Sequence, residues 1–207
     1  MGEPLPERIP LFPLPNVVLF PEMPLPLHVF EPRYRAMVAD ARSGHETIGM
    51  VLLQPGWETS YYGRPPVFPI GCAGRLEQCE ALPDGRYNVL LRATSRFTIL
   101  DEPAGPAPYR VARVLPRPEH GAAALLEAAR ADLIRTIERA SEQEVVLLHG
   151  HLPPALFINA LCQSLDLQPV ERQSLLDCDD LVLRCRRLVE ILEFKHLERR
   201  SGQGRLH

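Results

Sequence analysis

IPLFPLPNVVLFPEMPLPLHVFEPRYR (residues 9–35) carries thirteen uncharged residues ahead of its first acid, Glu22, and seven prolines in twenty-seven positions. The apolar run alone would suit an export signal or a membrane helix. Proline removes an N–H and clashes within a helix, Glu22 interrupts the run, Arg8 is offset by Glu3 and Glu7, and no small-residue cleavage site follows, so neither reading fits. The prolines instead cut the apolar residues into short pieces. Ile9 to Leu14 and Val17 to Phe20 read as edge or bulged strands joined at Leu14-Pro15-Asn16, with another turn at Pro21-Glu22. Glu31-Pro32 opens a helix, since proline suits a first turn, and Tyr34, Met37, Val38 and Ala41 follow at i, i+3, i+4 and i+7 up to Ser43-Gly44.

Outward from this stretch the chain has two textures. Thirteen of its 22 prolines fall in the first 69 residues and three after Pro118, so strands and turns give way to helices. Ile48 to Leu53, Gly71 to Glu80, Tyr87 to Ala93, Arg96 to Asp101 and Tyr109 to Leu115 read as further strands. Asp84-Gly85 marks a hairpin turn, and six or seven strands are enough for a small antiparallel barrel. "PRPEHG" (116–121) is the boundary, dividing 1–118 from 119–207. Beyond it Leu125, Ala129, Leu133 and Ile137 form one helical face. Pro154 opens a second helix with Leu156, Phe157, Ala160 and Leu161, and Pro169 a short third. The last helix turns Leu181, Cys185, Leu188 and Leu192 one way, and four such helices suggest a bundle.

Composition limits the chemistry. The 207 residues carry a formal charge of -3, with 22 of 23 basic residues arginine and Lys195 the single lysine. That balance argues against a long-range field for nucleic acid. Five dispersed cysteines without a C-x-x-C pair point to a reducing cytoplasm and to thiols buried as small apolar groups. Phosphate-loop, dinucleotide, nucleophile-elbow and H-E-x-x-H motifs are all absent, so no enzyme activity and no cofactor is expected. His149-Gly-His151 could offer two metal ligands or be a solvated turn; with no carboxylate or cysteine cluster nearby, no metal is expected. Asp177, Asp179 and Asp180 precede a helix and read as caps. Arg75, Arg86, Arg92 and Arg96 form either a basic stripe or a solvated face paired with Glu77, Glu80 and Asp84.

The loop "QPGWETSYYGRPPVF" (54–68) holds the only tryptophan and two of the five tyrosines. Trp57, Tyr61, Tyr62 and Phe68 are the candidate peptide-binding residues, because aromatics give large contact area and loops on a scaffold carry function. They could equally fold inward to cover a barrel end.

The opening stretch, continued through Met37, resembles the start of Lon N-terminal domains. "IGMVLL", "PVFPIGCAGRLEQCEALPDGRYNVLLRATSRFTIL" and "PYRVARV" continue the match in order over about residues 8–116. The resemblance implies an α+β chain, a PUA-like β pseudobarrel followed by an α-helical bundle. It further implies a substrate-recognising role, standing without the ATPase and Ser–Lys peptidase modules of full Lon proteases. Relatives commonly have glycine where this chain has Glu22, and a non-glycine residue there favours a type I turn with Glu22 facing solvent. The expected partner is a polypeptide or unfolded protein segment, held along an exposed strand edge or in a groove. RNA, which PUA-like barrels often contact, is the alternative. An enzyme using His28, Glu31 or the His149/His151 pair is a third possibility, and no membrane association is expected.

Overall fold

The computed structural model describes residues 4–139 and 151–203. It divides into two compact units, Met1–Pro118 and Glu119–His207. The first holds strands β1 (Arg8–Leu14), β2 (Pro24–Val29), β3 (Thr47–Leu52), β4 (Ile70–Ala81), β5 (Tyr87–Asp101) and β6 (Arg110–Arg117), with helix α1 (Pro32–Ser43) between β2 and β3. Sheet order is β2-β5-β4-β3-β1-β6, and a β5–β6 pairing closes five of the strands into a barrel. The sheet is mixed, because β1 runs parallel to β3; all other pairs are antiparallel. An all-antiparallel barrel is thus corrected, and α1 is the crossover that a parallel neighbour requires.

The prolines of residues 9–35 are placed by hydrogen-bond direction. Successive residues of a strand offer their backbone groups to opposite sides. Glu7 accepts from Val114 towards β6, and Leu14 accepts from Leu53 beyond β3, so odd residues of β1 face β6 and even ones β3. Pairing with β6 ends at Leu11 and pairing with β3 begins there. Pro10 therefore turns its missing donor towards β3 ahead of that pairing, and Pro13 towards β6 after it. The stagger lets an interior strand carry two prolines, where an edge or bulged strand was expected. Val17 to Phe20 is not a strand; the second strand is β2, where no strand was expected. Met23 bonds Ala93 of β5, so the even residues of β2 face the open edge. Two missing donors there blunt strand addition, one of the two docking modes expected from sequence.

Glu22 overturns a second expectation. It is exposed, as expected, but its φ is 68°. Met23 N–H donates to Phe20 C=O (3.1 Å) across Pro21-Glu22, the arrangement of a type II turn. Tertiary bonds hold it: Glu22 N–H donates to Ala93 C=O (3.1 Å) and Ala93 N–H to Met23 C=O (2.9 Å). A non-glycine residue in this region costs about 1–3 kcal/mol, and glycine's added unfolded-state entropy returns roughly 0.5–1 kcal/mol of that. Glu22→Gly is accordingly expected to raise stability by about 0.5–1 kcal/mol, read as a higher urea midpoint at unchanged slope. A lowered midpoint would mean the turn is not strained.

Strand β5 replaces two predicted strands. The register slips between Ala73 and Gly74 of β4, where Ser95 and then Ala93 are the partners. Thr94 is the extra residue, and its hydroxyl donates to Ala73 C=O (3.1 Å). This bulge bends β5, so that one edge serves β2 over 87–92 and β6 over 96–101. Ile9, Leu11, Val51, Ala73, Phe97, Ala112 and Val114 form the barrel core. On the other side of β1, Phe12 meets Tyr34 of α1 at 4.2 Å between ring centroids. Tyr34, Met37, Val38 and Ala41 are the buried residues of α1, as their spacing predicts. The hairpin at Asp84-Gly85 also forms, as a type I turn with Gly85 left-handed (φ 81°).

The second unit contains α2 (Ala123–Arg139), α3 (Pro154–Ser164), α4 (Pro169–Leu176) and α5 (Leu181–Gln203). Leu126, not Leu125, joins Ala129, Leu133 and Ile137 on the buried face of α2. Four-residue steps overrun the helical period by 40° each, so a three-residue step must restore the stripe. Residues Phe157 to Cys162 of α3 are all buried, marking it as the central helix. On α5, Leu181, Cys185, Leu188 and Leu192 are buried together. Arg184 is also fully buried in this unit. It donates to Glu119, to Asn159 Oδ1 (2.5 Å), to Leu175 C=O (2.9 Å) and to Cys178 C=O (2.7 Å), while Asn159 donates to Glu119 (3.1 Å).

Candidate functional site

The loop from Gln54 to Val67 is closed at its neck. Gln54 N–H donates to Pro66 C=O (2.9 Å), its side chain to Val67 C=O (2.9 Å), and Phe68 N–H to Leu52 C=O (2.9 Å). Inside the loop Trp57–Ser60 makes one turn of 3-10 helix, started by Gly56 at φ 89°. That turn brings Trp57 edge-on to Tyr61 at 5.5 Å, and Tyr61 edge-on to Tyr62 at 5.2 Å. Trp57 and Tyr61 are half-buried, whereas Tyr62 is 90% exposed. Phe68 is half-buried at the neck and stands apart from the ring cluster.

The rings are held from α1. Arg33 lies over the faces of Tyr34 (4.5 Å) and Tyr61 (5.0 Å) and pairs with Glu31 at 3.0 Å. The Tyr61 hydroxyl donates to Glu31 at 2.6 Å. Burial, then the Glu31 carboxylate, raises the Tyr61 phenol above its ordinary range, so it stays a donor at neutral pH. On the far side Arg110 donates to Glu102 (2.7 and 2.5 Å) and to Pro65 C=O (2.7 Å), tying the start of β6 to the aromatic loop. Tyr109 donates to Asp40 at 2.6 Å, and burial with that carboxylate pushes its phenol up to about 12.

Between these walls is a cleft of about 290 Å³, lined among others by Arg33, Tyr34, Tyr61, Tyr62, Arg64 and Tyr109. Tyr61 and Tyr62 of the sequence candidates line it. Trp57 backs Tyr61, and Phe68 lies outside it. Arg33, Tyr34, Arg64, Tyr109 and Arg110 were not anticipated. Tyr34 gave only a core signal through its helical spacing, and no local pattern joins residues 33, 61 and 109.

The remaining sequence candidates disperse. His28 bonds Asn88 (2.8 Å) and Arg86 (3.1 Å); because arginine can only donate, Nε2 of His28 accepts and Nδ1 carries the proton. Glu31 serves Tyr61 and Arg33 instead. His149 lies outside the described residues, and His151 is exposed. Asp180 caps α5, accepting from Val182 N–H at 2.7 Å. Of the arginine stripe, Arg75 pairs with Glu46, Arg86 with Asp84 and Arg92 with Glu77. Arg96 departs from the outer-face reading: it is fully buried and donates to Pro118 C=O at 3.1 Å. Cys72, Cys162 and Cys185 are buried, and burial pushes the Cys162 and Cys185 thiols up to about 12. Among the described residues no helix is long and apolar enough to cross a membrane.

The family model for the substrate-binding domain of ATP-dependent protease La (LON) matches residues 8–193. The chain belongs to this Lon substrate-binding domain family. It is 29% identical over 91% of its length to Lon protease 2 of Herpetosiphon aurantiacus, and 26% identical over 95% to Lon protease of Flavobacterium johnsoniae. It spans about a quarter of the length of these curated relatives (25% of each). Among solved structures it resembles the Lon N-terminal domain protein from Xanthomonas campestris, with a TM-score of 0.67 and 28% identity over 88% of this chain and 97% of that one. The N-terminal domain of Mycobacterium avium complex Lon protease shares the fold at a TM-score of 0.69 and 18% identity, over 90% of this chain and 98% of that one.

Proposed function

We propose that the chain is a non-catalytic polypeptide-recognition module, an adaptor or quality-control factor that engages exposed apolar segments through the Trp57, Tyr61 and Tyr62 wall. The observation that carries this is Tyr62: a large ring 90% exposed, set edge-on against Tyr61, which Arg33 in turn holds, in a substrate-binding family domain. A ring held ready loses little conformational entropy on contact. Tyr62→Ala is expected to weaken binding of an unfolded polypeptide about 5- to 30-fold, in the range of about 1–2 kcal/mol for an interface aromatic, without shifting the melting temperature. Titration of labelled, reduced and carboxymethylated lactalbumin checks it; unchanged binding would remove the aromatic wall from the site.

RNA binding drew on four arginines. Three are matched by carboxylates and the fourth is buried, which leaves little charge to drive it. A salt-dependent gel shift would favour that alternative.

A further inference from the structure

The lining of the cleft beside the aromatic loop contains three arginines and no carboxylate. Glu31 neutralises Arg33 and Glu102 neutralises Arg110. Arg64 is exposed and has no hydrogen-bond or ion-pair partner among the described residues, so the unbalanced positive charge of the lining is its guanidinium. A second group points the same way. Tyr34 is 3% exposed, and its hydroxyl is buried without a hydrogen-bond partner among the described residues. Tyr34 itself lines this cleft, as do Arg33, Tyr61 and Arg110, three of the groups whose charges reach its hydroxyl. Burial keeps the phenol protonated, and an unsatisfied buried donor is costly until a ligand acceptor meets it.

Arg64 thus offers an open donor and Tyr34 a covered one, which a ligand reaches by displacing the side chains over it, while Tyr62, Pro65 and Pro108 supply apolar surface. At about 290 Å³ the space lies at the small end of ligand pockets. It suits the end of an extended chain better than a long run passing through. We propose that the cleft captures the C-terminal carboxylate of a polypeptide, the carboxylate accepting from Arg64 and Tyr34 with its last side chain against Tyr62. This rests on the polypeptide-recognition reading and adds the chemistry of the recognised end.

The test uses the 207-residue protein and three N-terminally labelled decapeptides of one apolar sequence. One has a free C-terminus, one is amidated, and one is amidated with an internal glutamate. Fluorescence anisotropy is expected to show at least tenfold tighter binding of the free acid than of either amide. Arg64→Gln and Tyr34→Phe are each expected to weaken the free acid 3- to 30-fold and to leave the amides unchanged; both substitutions keep the packing. Equal affinity for acid and amide, with Tyr62→Ala still weakening both, would overturn terminal capture and leave polypeptide recognition standing. Matching affinity of the internal-glutamate peptide would overturn it in favour of an acidic side chain. Absence of binding to all three peptides and to unfolded lactalbumin would overturn both readings.

Discussion

Arg184→Met is expected to lower stability by about 3–5 kcal/mol, the cost typical of removing one partner from a buried ion pair. The Arg184 side chain is fully buried, and that of Glu119 is 16% exposed. Methionine fills similar volume but leaves Glu119, Asn159 and the carbonyls of Leu175 and Cys178 without their shared donor. Urea denaturation followed by far-ultraviolet circular dichroism measures it. Glu119→Gln completes a double-mutant cycle, with a coupling of about 0.5–3 kcal/mol expected for contacting residues. A loss below about 1 kcal/mol for Arg184→Met would show that the network contributes little net stability.

The barrel interior supplies the second large effect. A Cβ at Gly71 would stand 2.5 Å from Met50 C=O, 2.7 Å from Phe97 Cζ and 2.7 Å from Val51 Cγ1. Two of these are side-chain atoms, but the first is backbone within the β3–β4 ladder. Gly71→Ala is therefore expected to cost about 2–3 kcal/mol through overpacking. Phe97→Ala, which empties the space opposite, should cost about 3–5 kcal/mol. Phe97 and Gly71 are direct cross-strand partners, so the double variant should lose less than the sum. Strict additivity in denaturant unfolding would disprove that the ring and the missing side chain share one space.

These effects show unevenly in the primary structure. The buried face of α1 was readable because helical spacing is a local property. Asp84-Gly85 was readable because the turn chemistry lies within a few residues. On α2 the same reasoning missed by one residue, taking Leu125 for Leu126, since neighbouring leucines satisfy either phase until a packing partner selects one. Arg96 and Arg184 look like surface residues in sequence. Partners such as the carbonyl of Pro118 for one, and Glu119, Asn159 and the carbonyls of Leu175 and Cys178 for the other, make burial tolerable.

The candidate site follows the same division. Trp57, Tyr61 and Tyr62 were visible as a local cluster of rings. Phe68, from the same loop, stands apart at the neck. Arg33, Tyr34, Tyr109 and Arg110 join the cleft because α1 and the start of β6 meet the loop in space.

For residues 9–35, the sequence alone determined that no helix could span them, that turns would interrupt the apolar run, and that a helix would open at Pro32. These outcomes need only proline's missing N–H and the 3.6-residue period. The tertiary structure decided the rest. It made β1 an interior strand by staggering its partners, selected Pro24 to Val29 as the second strand, and drew Glu22 into a left-handed turn through bonds to Ala93. Each of those choices depends on a hydrogen bond to a residue dozens of positions away, which no local pattern encodes.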